Sequence, residues 1–415
     1  MGSTHTLLEP TVIAKEALML LRNNLVMGAK VHRDYEQEFG DTGIGDTVTI
    51  RKPVKFTVTT GRTRSTSTIT EKSITLQVAY QKHISWAFNT KDLTLTIQQY
   101  SKRYIEPAAA RLANEIDSDL LGLYSDVHNA VYESTGFVTP ESFMVLGKVG
   151  QRLDEEAVPQ GERCLVLNPA AHWSMANALR TLYVQDVAAP AVKKGYMATI
   201  ANMEIYMDQN VRVHTTGAFH DTGSTAELLM ATTSFGGAAT EGSALEIIHL
   251  RIVSTDALKV GDVFTVADVN AVNPMSGEDT GTLRQFVVTA AMSVATTSTT
   301  QIDTVYIKPE MIDTGPYKTI TTFPAAGAAV TVVGTQSEPY PQNLGFHKNA
   351  FALVMVPLIT PHNVWGSSAR ADGYAIRVLK DYDVNTDDEV CRMDVLYGVK
   401  TLYPELAVRL IGAEG

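Results

Sequence analysis

Asp381, Asp383, Asn385 and Asp388 alternate as the opening ligands of a calcium loop do. The rest of that loop is missing. Thr386 stands where the turn needs glycine, and Arg392 where it needs a bidentate glutamate. The run reads as a solvated acidic turn. Gly40 to Gly45 has the glycines of a phosphate loop, but no Lys-Ser/Thr pair follows. There is no nucleophile elbow, no HExxH and no cysteine pair of metal spacing. Cys164 and Cys391 lie far apart and read as buried thiols. The histidines are scattered, and His172 and His214 fall near the ends of predicted elements, where a structural role is expected. Asp154, Glu155 and Glu156 form a charged run suited to a wet face. No catalytic, cofactor-binding or metal-binding residue is assigned, and an enzyme is not expected, because an enzyme of this size normally shows a convergent polar set.

The bulk properties agree. The chain has 415 residues, 45% of them apolar, and a mean hydropathy of −0.01. This is a soluble globular composition, long enough for two or three domains and a sizeable core. The net charge of −11 argues against a dedicated nucleic-acid binder, whose footprint is basic. The longest apolar run, Ala350 to Ile359, is short for a membrane span and contains Pro357. MGSTHTLLEP reads as no signal peptide, and Met1-Gly2 with Thr6 matches a myristoylation pattern only superficially. Use inside a cell, or in a particle assembled there, is expected.

The dominant element is Asn89 to Val127. Tyr100, Tyr104, Ala108, Leu112, Ile116, Leu120 and Tyr124 recur every four residues, the apolar stripe of a long amphipathic helix. Pro107 interrupts it, so a kink or two segments end to end are expected. Ahead of it, Val12, Ile13, Ala17, Leu20 and Leu21 predict a short helix after Pro10. Then Val54, Phe56 and Val58, and again Ile74, Leu76, Val78 and Tyr80, alternate as half-buried strands. The polar Gly61 to Lys72 segment between them predicts a projecting β-arm with Arg62 and Arg64 at its tip. Two strands alone are barely stable in water, so such an arm needs a neighbour.

Residues 128–215 read as mixed α/β, with a helical turn or two at Pro140 to Gly150. A buried strand is expected at Arg163 to Leu167, a helix through Ala170 to Leu182, and a strand from Met203 to Met207. From Thr215 to Pro341, Thr, Ser, Gly, Ala and Val dominate. Strands are predicted at Leu228–Ala231, Leu245–Ile252, Val263–Ala267, Phe286–Thr289, Val305–Ile307 and Val330–Val333. They suit a small antiparallel barrel or sandwich inserted into a larger domain. PQNLGFHKNAFALVMVPLI then predicts a buried strand, YAIRVLKDYDV alternates, and a strand pair around Gly398 and Pro404 ends the chain.

Several strings carry a resemblance. GDVFTVADVNAVNP (Gly261 to Pro274), GTLRQFVVTA (Gly281 to Ala290), QNLGFHKNAFAL (Gln342 to Leu353), MDVLYGVKTLYPELAVRL (Met393 to Leu410) and GYMATIANMEIYMDQNV (Gly195 to Val211) are one set. Together with the order of parts, they resemble the major capsid proteins of tailed double-stranded DNA bacteriophages, in the branch with an inserted β domain. The resemblance implies an α+β tailed-phage and herpesvirus capsid fold, with an inserted antiparallel β-barrel. It divides the chain into an N-terminal arm (1–38), an extended β-arm (39–88), a spine helix (89–127), a peripheral and axial α/β region (128–215), the inserted β domain (216–341) and a return to the capsid core (342–415).

The implied function is self-assembly, through hexamers and pentamers, into the icosahedral or prolate shell around the phage genome. The implied partners are further copies of the chain, a scaffolding protein during assembly, a portal, decoration proteins and the packaged double-stranded DNA, with no membrane. The implied location is the virion capsid, assembled in the host cytoplasm. Some relatives cross-link a lysine of this arm to a neighbour; Lys52, Lys55 and Lys72 lie on it, but cross-linking is not expected here. The expected inter-subunit contacts are Arg62, Arg64 and Lys72. The rival readings are an encapsulin-like compartment with protein cargo, an enzyme with a β-sandwich accessory domain, and a Thr-rich adhesin or tail component.

Overall fold

The computed structural model describes residues 10–35, 45–56, 60–62, 71–89, 101–133, 138–179, 199–218, 229–230, 245–252, 257–290, 301–362, 364–383 and 388–412. In chain order, α1 (Pro10–Asn24) precedes β1 (Thr47–Arg51), β2 (Ser73–Gln77) and β3 (Tyr80–Asn89). A π-helical turn (Ser101–Ile105), α2 (Glu106–Leu121) and a 3-10 turn (Gly122–Asp126) follow. Next come β4 (Ala130–Tyr132), α3 (Phe143–Glu155), β5 (Arg163–Leu167) and α4 (Pro169–Leu179). Then β6 (Thr199–Ile200), β7 (Met203–Met207), β8 (Val213–Thr215), β9 (Leu229–Met230) and β10 (Leu245–Ile252) lead to β11 (Val263–Val272) and β12 (Asp279–Val288). The chain finishes with β13 (Gln301–Met311), β14 (Val330–Val332), β15 (Pro339–His347), β16 (Phe351–Met355), β17 (Trp365–Ala371), β18 (Tyr374–Asp383), β19 (Asp388–Thr401) and β20 (Ala407–Ile411).

These elements form two compact units. The first draws on Met1–Arg51, Ser73–Leu120 and Phe351–Leu402. Its sheet runs β16-β19-β18-β17, and β3 pairs antiparallel with β19 on the side away from β18, from Tyr80 opposite Tyr397 to Asn89 opposite Asp388. Helix α1 lies on β17 and β18 and buries Ile13, Ala14, Ala17, Leu18 and Leu21 at helical spacing. The expected stripe of α2 is buried at Ala108, Leu112, Ile116 and Leu120. Pro107 causes no kink in mid-helix. It is the second residue of α2, in the first turn, where a missing N–H breaks no helical hydrogen bond. The two segments expected end to end are the π-turn and α2; Tyr100 lies outside the described residues.

The β-arm strands differ from expectation. The pair is β1 with β2, from Thr47 opposite Gln77 to Arg51 opposite Ser73. Val54 and Phe56 lie in an irregular segment, and Phe56 is exposed. Val58 lies outside the described residues.

The second unit draws on Lys52–Lys72, Leu121–Ala350 and Tyr403–Gly415. A seven-stranded mixed sheet is ordered β4-β20-β15-β5-β7-β6, with β8 also on β15. Val145, Leu146, Val149 and Leu153 of α3 close over Leu165, Leu167, Val408 and Leu410 of the sheet. Helix α3 runs longer than the turn or two expected. A six-stranded antiparallel sheet, β14-β11-β12-β13-β10-β9, has its own core around Phe264, Phe286, Val305, Ile307 and Ile320. Its pairing is an open order, and among the described residues β9 and β14 are not joined to close a barrel. Strands β11 to β13 exceed the predicted lengths; the added end of β12 is largely exposed, while those of β11 and β13 still bury Val269, Ala271, Val272 and Met311. The single strand expected at Pro341–Ile359 is two strands in different sheets, β15 and β16, split by a 3-10 turn at Lys348–Ala350. The terminal strands β19 and β20 likewise join different sheets rather than each other.

Candidate functional site

In the first unit, the N-terminal segment is fastened to the long helix by one buried carboxylate. Asp117 accepts from the Val26 N–H at 2.7 Å and the Gly28 N–H at 2.8 Å. The Tyr374 hydroxyl donates to the Gly28 carbonyl at 3.2 Å. His32 then forms a bridge with Ala352, donating its N–H to Phe351 O and accepting from Leu353 N. Two residues along α2, Asp119 accepts from the Lys82 ammonium at 2.6 Å and the Tyr397 hydroxyl at 2.6 Å, while Glu115 also takes Lys82 at 2.9 Å. Burial pushes the Tyr397 hydroxyl pKa up, and the Asp119 hydrogen bond adds to it. Burial works against the Lys82 charge, but Asp119 and Glu115 outweigh it and hold its pKa up.

In the second unit, two polar nodes join the six-stranded sheet to the seven-stranded one. At the first, Arg409 of β20 donates to Val127 O at 2.7 Å and Gly261 O at 2.6 Å, and lies over the Tyr124 ring. Burial lowers its pKa to about 10. The Tyr124 hydroxyl is 3.1 Å from His214 Nδ1, and His214 Nε2 is 2.8 Å from Asp262 Oδ1. Asp262 also accepts from Lys259 N and Gly217 N. The Tyr–His–Asp series has the layout of a proton relay. Its carboxylate is fully buried and committed to two backbone donors, so it serves as a fastening.

At the second node, Arg284 of β12 donates to Glu156 at 2.6 Å and to His128 Nε2 at 2.9 Å. Burial and the neighbouring arginines hold the His128 pKa well below its usual value. Beside it, the Gln285 side-chain amide accepts from Ala130 N and donates to Ala130 O, as a strand partner would. Ala130, Val263, Val287, Tyr340 and Ile411, drawn from both sheets, pack into one buried cluster.

Of the expected contact residues, Arg62 is exposed. Arg64 lies outside the described residues. Lys72 donates to Glu310 at 2.7 Å and sits over the Tyr317 ring, so its own chain already engages it. Lys52 lies over the Tyr403 ring, and burial lowers its pKa. Asp381 and Asp383 end β18 and Asp388 starts β19; Asn385 and Thr386 lie outside the described residues. Among the described residues no group of three or more His, Cys, Asp or Glu is placed to hold a metal, and no helix is long and apolar enough to cross a membrane. Both cysteines are buried free thiols. The nodes around Arg284 and Arg409 were not anticipated. The available signal was a charged residue inside an apolar strand, as in Ala407-Val408-Arg409-Leu410-Ile411.

The fold is similar to a structure from Mycobacterium phage Che8, at a TM-score of 0.50 and 14% identity, covering 93% of this chain and 90% of that one. Similarity also extends to the capsid of Ralstonia phage GP4 (TM-score 0.46, 8% identity, 90% of this chain and 84% of that one). A third structure is the capsid of the cyanophage P-SCSP1u (0.45, 10%, 90% and 85%). No curated protein sequence matches. The class that the similarity to the Che8 phage structure defines is one of fold, a mixed α+β chain of helices and many strands. A family profile described as "P22 coat protein - gene protein 5" matches residues 3–412. The chain belongs to the P22 coat protein family and is a major capsid protein, a component of the virion capsid.

Proposed function

We propose that copies of this capsid protein assemble, through hexamers and pentamers, into the icosahedral or prolate shell that encloses a double-stranded DNA genome. The observation that carries the proposal is family membership across residues 3–412. Physical chemistry supports it. A shell closes only through head-to-tail contacts that return on themselves by rotation. Many modest contacts let misplaced subunits leave while the sum still holds.

The role is structural, not catalytic. A scaffolding protein guides assembly in the host cytoplasm, and the portal and decoration proteins are further partners. Residues 1–38 act as an arm, 39–88 as the extended β-arm, 89–127 as the spine, 128–215 as the peripheral and axial region and 342–415 as the return to the core. Residues 216–341 are the inserted domain, a reading supported by a sheet with its own core. Arg62 and Arg64 at the arm tip meet carboxylates of an adjacent subunit, with Lys72 at the base of the arm. The net charge of −11 lets packaged DNA slide along the wall instead of adhering.

Expression with and without the scaffolding partner, followed by negative-stain microscopy, tests the reading. Closed shells of uniform size are expected. Folded, concentrated protein that stays monomeric under every condition, with virions of its source containing none of it, rejects it.

A further inference from the structure

We propose that the end of β13 and the loop after it clamp the base of the β-arm, and so preset in the free subunit the direction in which the arm leaves to meet a second copy. The presetting rests on the shell-subunit reading; the clamp does not. Every residue of the clamp belongs to the second unit.

The two sides of the arm close at its base, where the Lys52 N–H donates to the Lys72 carbonyl at 2.8 Å. Lys52 and Lys72 face each other one step beyond the last pair of β1 and β2, Arg51 opposite Ser73. Like charges directly opposite destabilise a ribbon, and two strands alone are already marginal in water. The base therefore needs support from outside the arm. Lys72 donates to Glu310 of β13 at 2.7 Å, and its Nζ lies 5.4 Å from the centre of the Tyr317 ring. The Tyr317 hydroxyl accepts from the Lys55 N–H at 3.3 Å. One tyrosine thus holds both sides of the arm, the outgoing side through its hydroxyl and the returning side through its ring. Lys52 Nζ lies 4.9 Å from the centre of the Tyr403 ring. Burial lowers the Lys52 pKa, and Lys308 and Lys72 add to that, while Glu405 and Glu310 oppose it.

The clamp is built on a stiff support. The Thr319 hydroxyl donates to the Glu310 carbonyl at 2.6 Å and accepts from the Ile312 N–H at 2.9 Å. The Thr319 N–H donates to the Ile312 carbonyl at 2.8 Å. Residues 313–318, which include Tyr317, are pinned in this way to the strand that carries Glu310. The Lys72–Glu310 pair, with side chains 38% and 24% exposed, is weak alone. Contacts at Lys52, Lys55 and Lys72 act together, and three separate points fix a direction where one fixes only a position. A reaching element ordered beforehand loses less freedom when it docks, so it binds its neighbour more tightly.

Glu310→Lys breaks the clamp by setting a cation against Lys72, and Lys72→Glu/Glu310→Lys restores the pair with its charges exchanged. Hydrogen exchange on the unassembled full-length subunit reads the clamp. The Lys52 and Lys55 N–H groups should exchange about tenfold faster in Glu310→Lys and return near the wild-type rate in the double variant. Tyr317→Phe, a milder change that removes one hydroxyl, should speed Lys55 more than Lys52. Shell formation with the scaffolding partner reads the presetting. Glu310→Lys should lower the yield of closed shells about tenfold, and the double variant should recover it. Unchanged exchange at Lys52 and Lys55 in both Glu310→Lys and Tyr317→Phe overturns the clamp. Faster exchange with a wild-type yield of shells shows that the arm works without being preset, and overturns the proposal as well. A wild type that never assembles removes the shell reading and the presetting with it, while the exchange rates still decide whether the clamp exists.

Discussion

Gly398 of β19 lies directly beneath the Gln77 backbone, so close that a Cβ at 398 would stand 2.2 Å from the Gln77 carbonyl oxygen. The partner atom is backbone, so no side-chain rotation relieves the clash. Strand β2 crosses β19 here, and the Val78 N–H donates to Asp46 O on the other side of the arm. Gly398→Ala should therefore lower stability by about 2 kcal/mol or more, as overpacking does. Urea unfolding of the unassembled subunit measures this. An unchanged midpoint would show that the arm base is not held in this position.

Asp117 offers a second test in the same unit. Its carboxylate is buried and satisfies two N–H groups of the segment after α1. Removing a charged acceptor strands both donors, at about 1–3 kcal/mol each. Asp117→Ala should lower global stability, and hydrogen exchange should speed up first at Val26 and Gly28. Uniform exchange acceleration across the subunit would mean that the carboxylate does not act locally.

Arg284 and Glu156 form a buried ion pair, with side chains 5% and 8% exposed. Such a pair is costly to break from one side, about 3–5 kcal/mol, but often neutral to replace whole. Arg284→Met and Glu156→Leu should each destabilise strongly. Arg284→Met/Glu156→Leu should recover most of the loss, so the double change costs less than the sum of the singles. Additive losses would show that the two residues are energetically independent.

What could be read from the residues alone followed the length of the pattern. The four-residue repeat of α2 was legible because burial on one face imposes it over several turns. Strands at Arg163–Leu167, Met203–Met207 and Leu245–Ile252 were legible to the residue, since each is a short apolar run bounded by polar turns. The first strand of the β-arm was misplaced because Val54 and Phe56 alternate in an irregular segment, while Thr47–Arg51 pairs with little apolar content. The joining of β12 to β4 through Gln285 was invisible, because it depends on residues 155 positions apart. The capsid class was reached through strings resembling a family, not through chemistry at any site. Charged residues inside apolar strands, such as Arg409, were present in the sequence but pointed to no partner until the sheets were in place.

His128 makes the junction between the two sheets of the second unit sensitive to acid. Its Nε2 must accept from Arg284, because a guanidinium only donates, so the ring is neutral with its proton on Nδ1. The facing groups are Arg284 on β12, Arg152 on α3 and Arg409 on β20, which oppose a second proton, and Glu156, 4.0 Å away, which favours one. Burial is the largest effect, and the folded pKa lies well below 6.5. The unfolded chain therefore takes up a proton at a pH where the folded one does not. The resulting stability is present above about pH 6.5 and is lost as pH falls below it, by up to about 1.4 kcal/mol per pH unit. Carboxylates titrating in the same range obscure this in the wild type alone, so the comparison is with His128→Gln, which carries no charge at any pH. Urea unfolding of both proteins between pH 7.5 and 5 should show the wild type losing stability more steeply below pH 6.5. Parallel curves would mean that His128 is as easily protonated in the folded subunit as in the unfolded chain, and that the Arg284 contact does not hold it neutral.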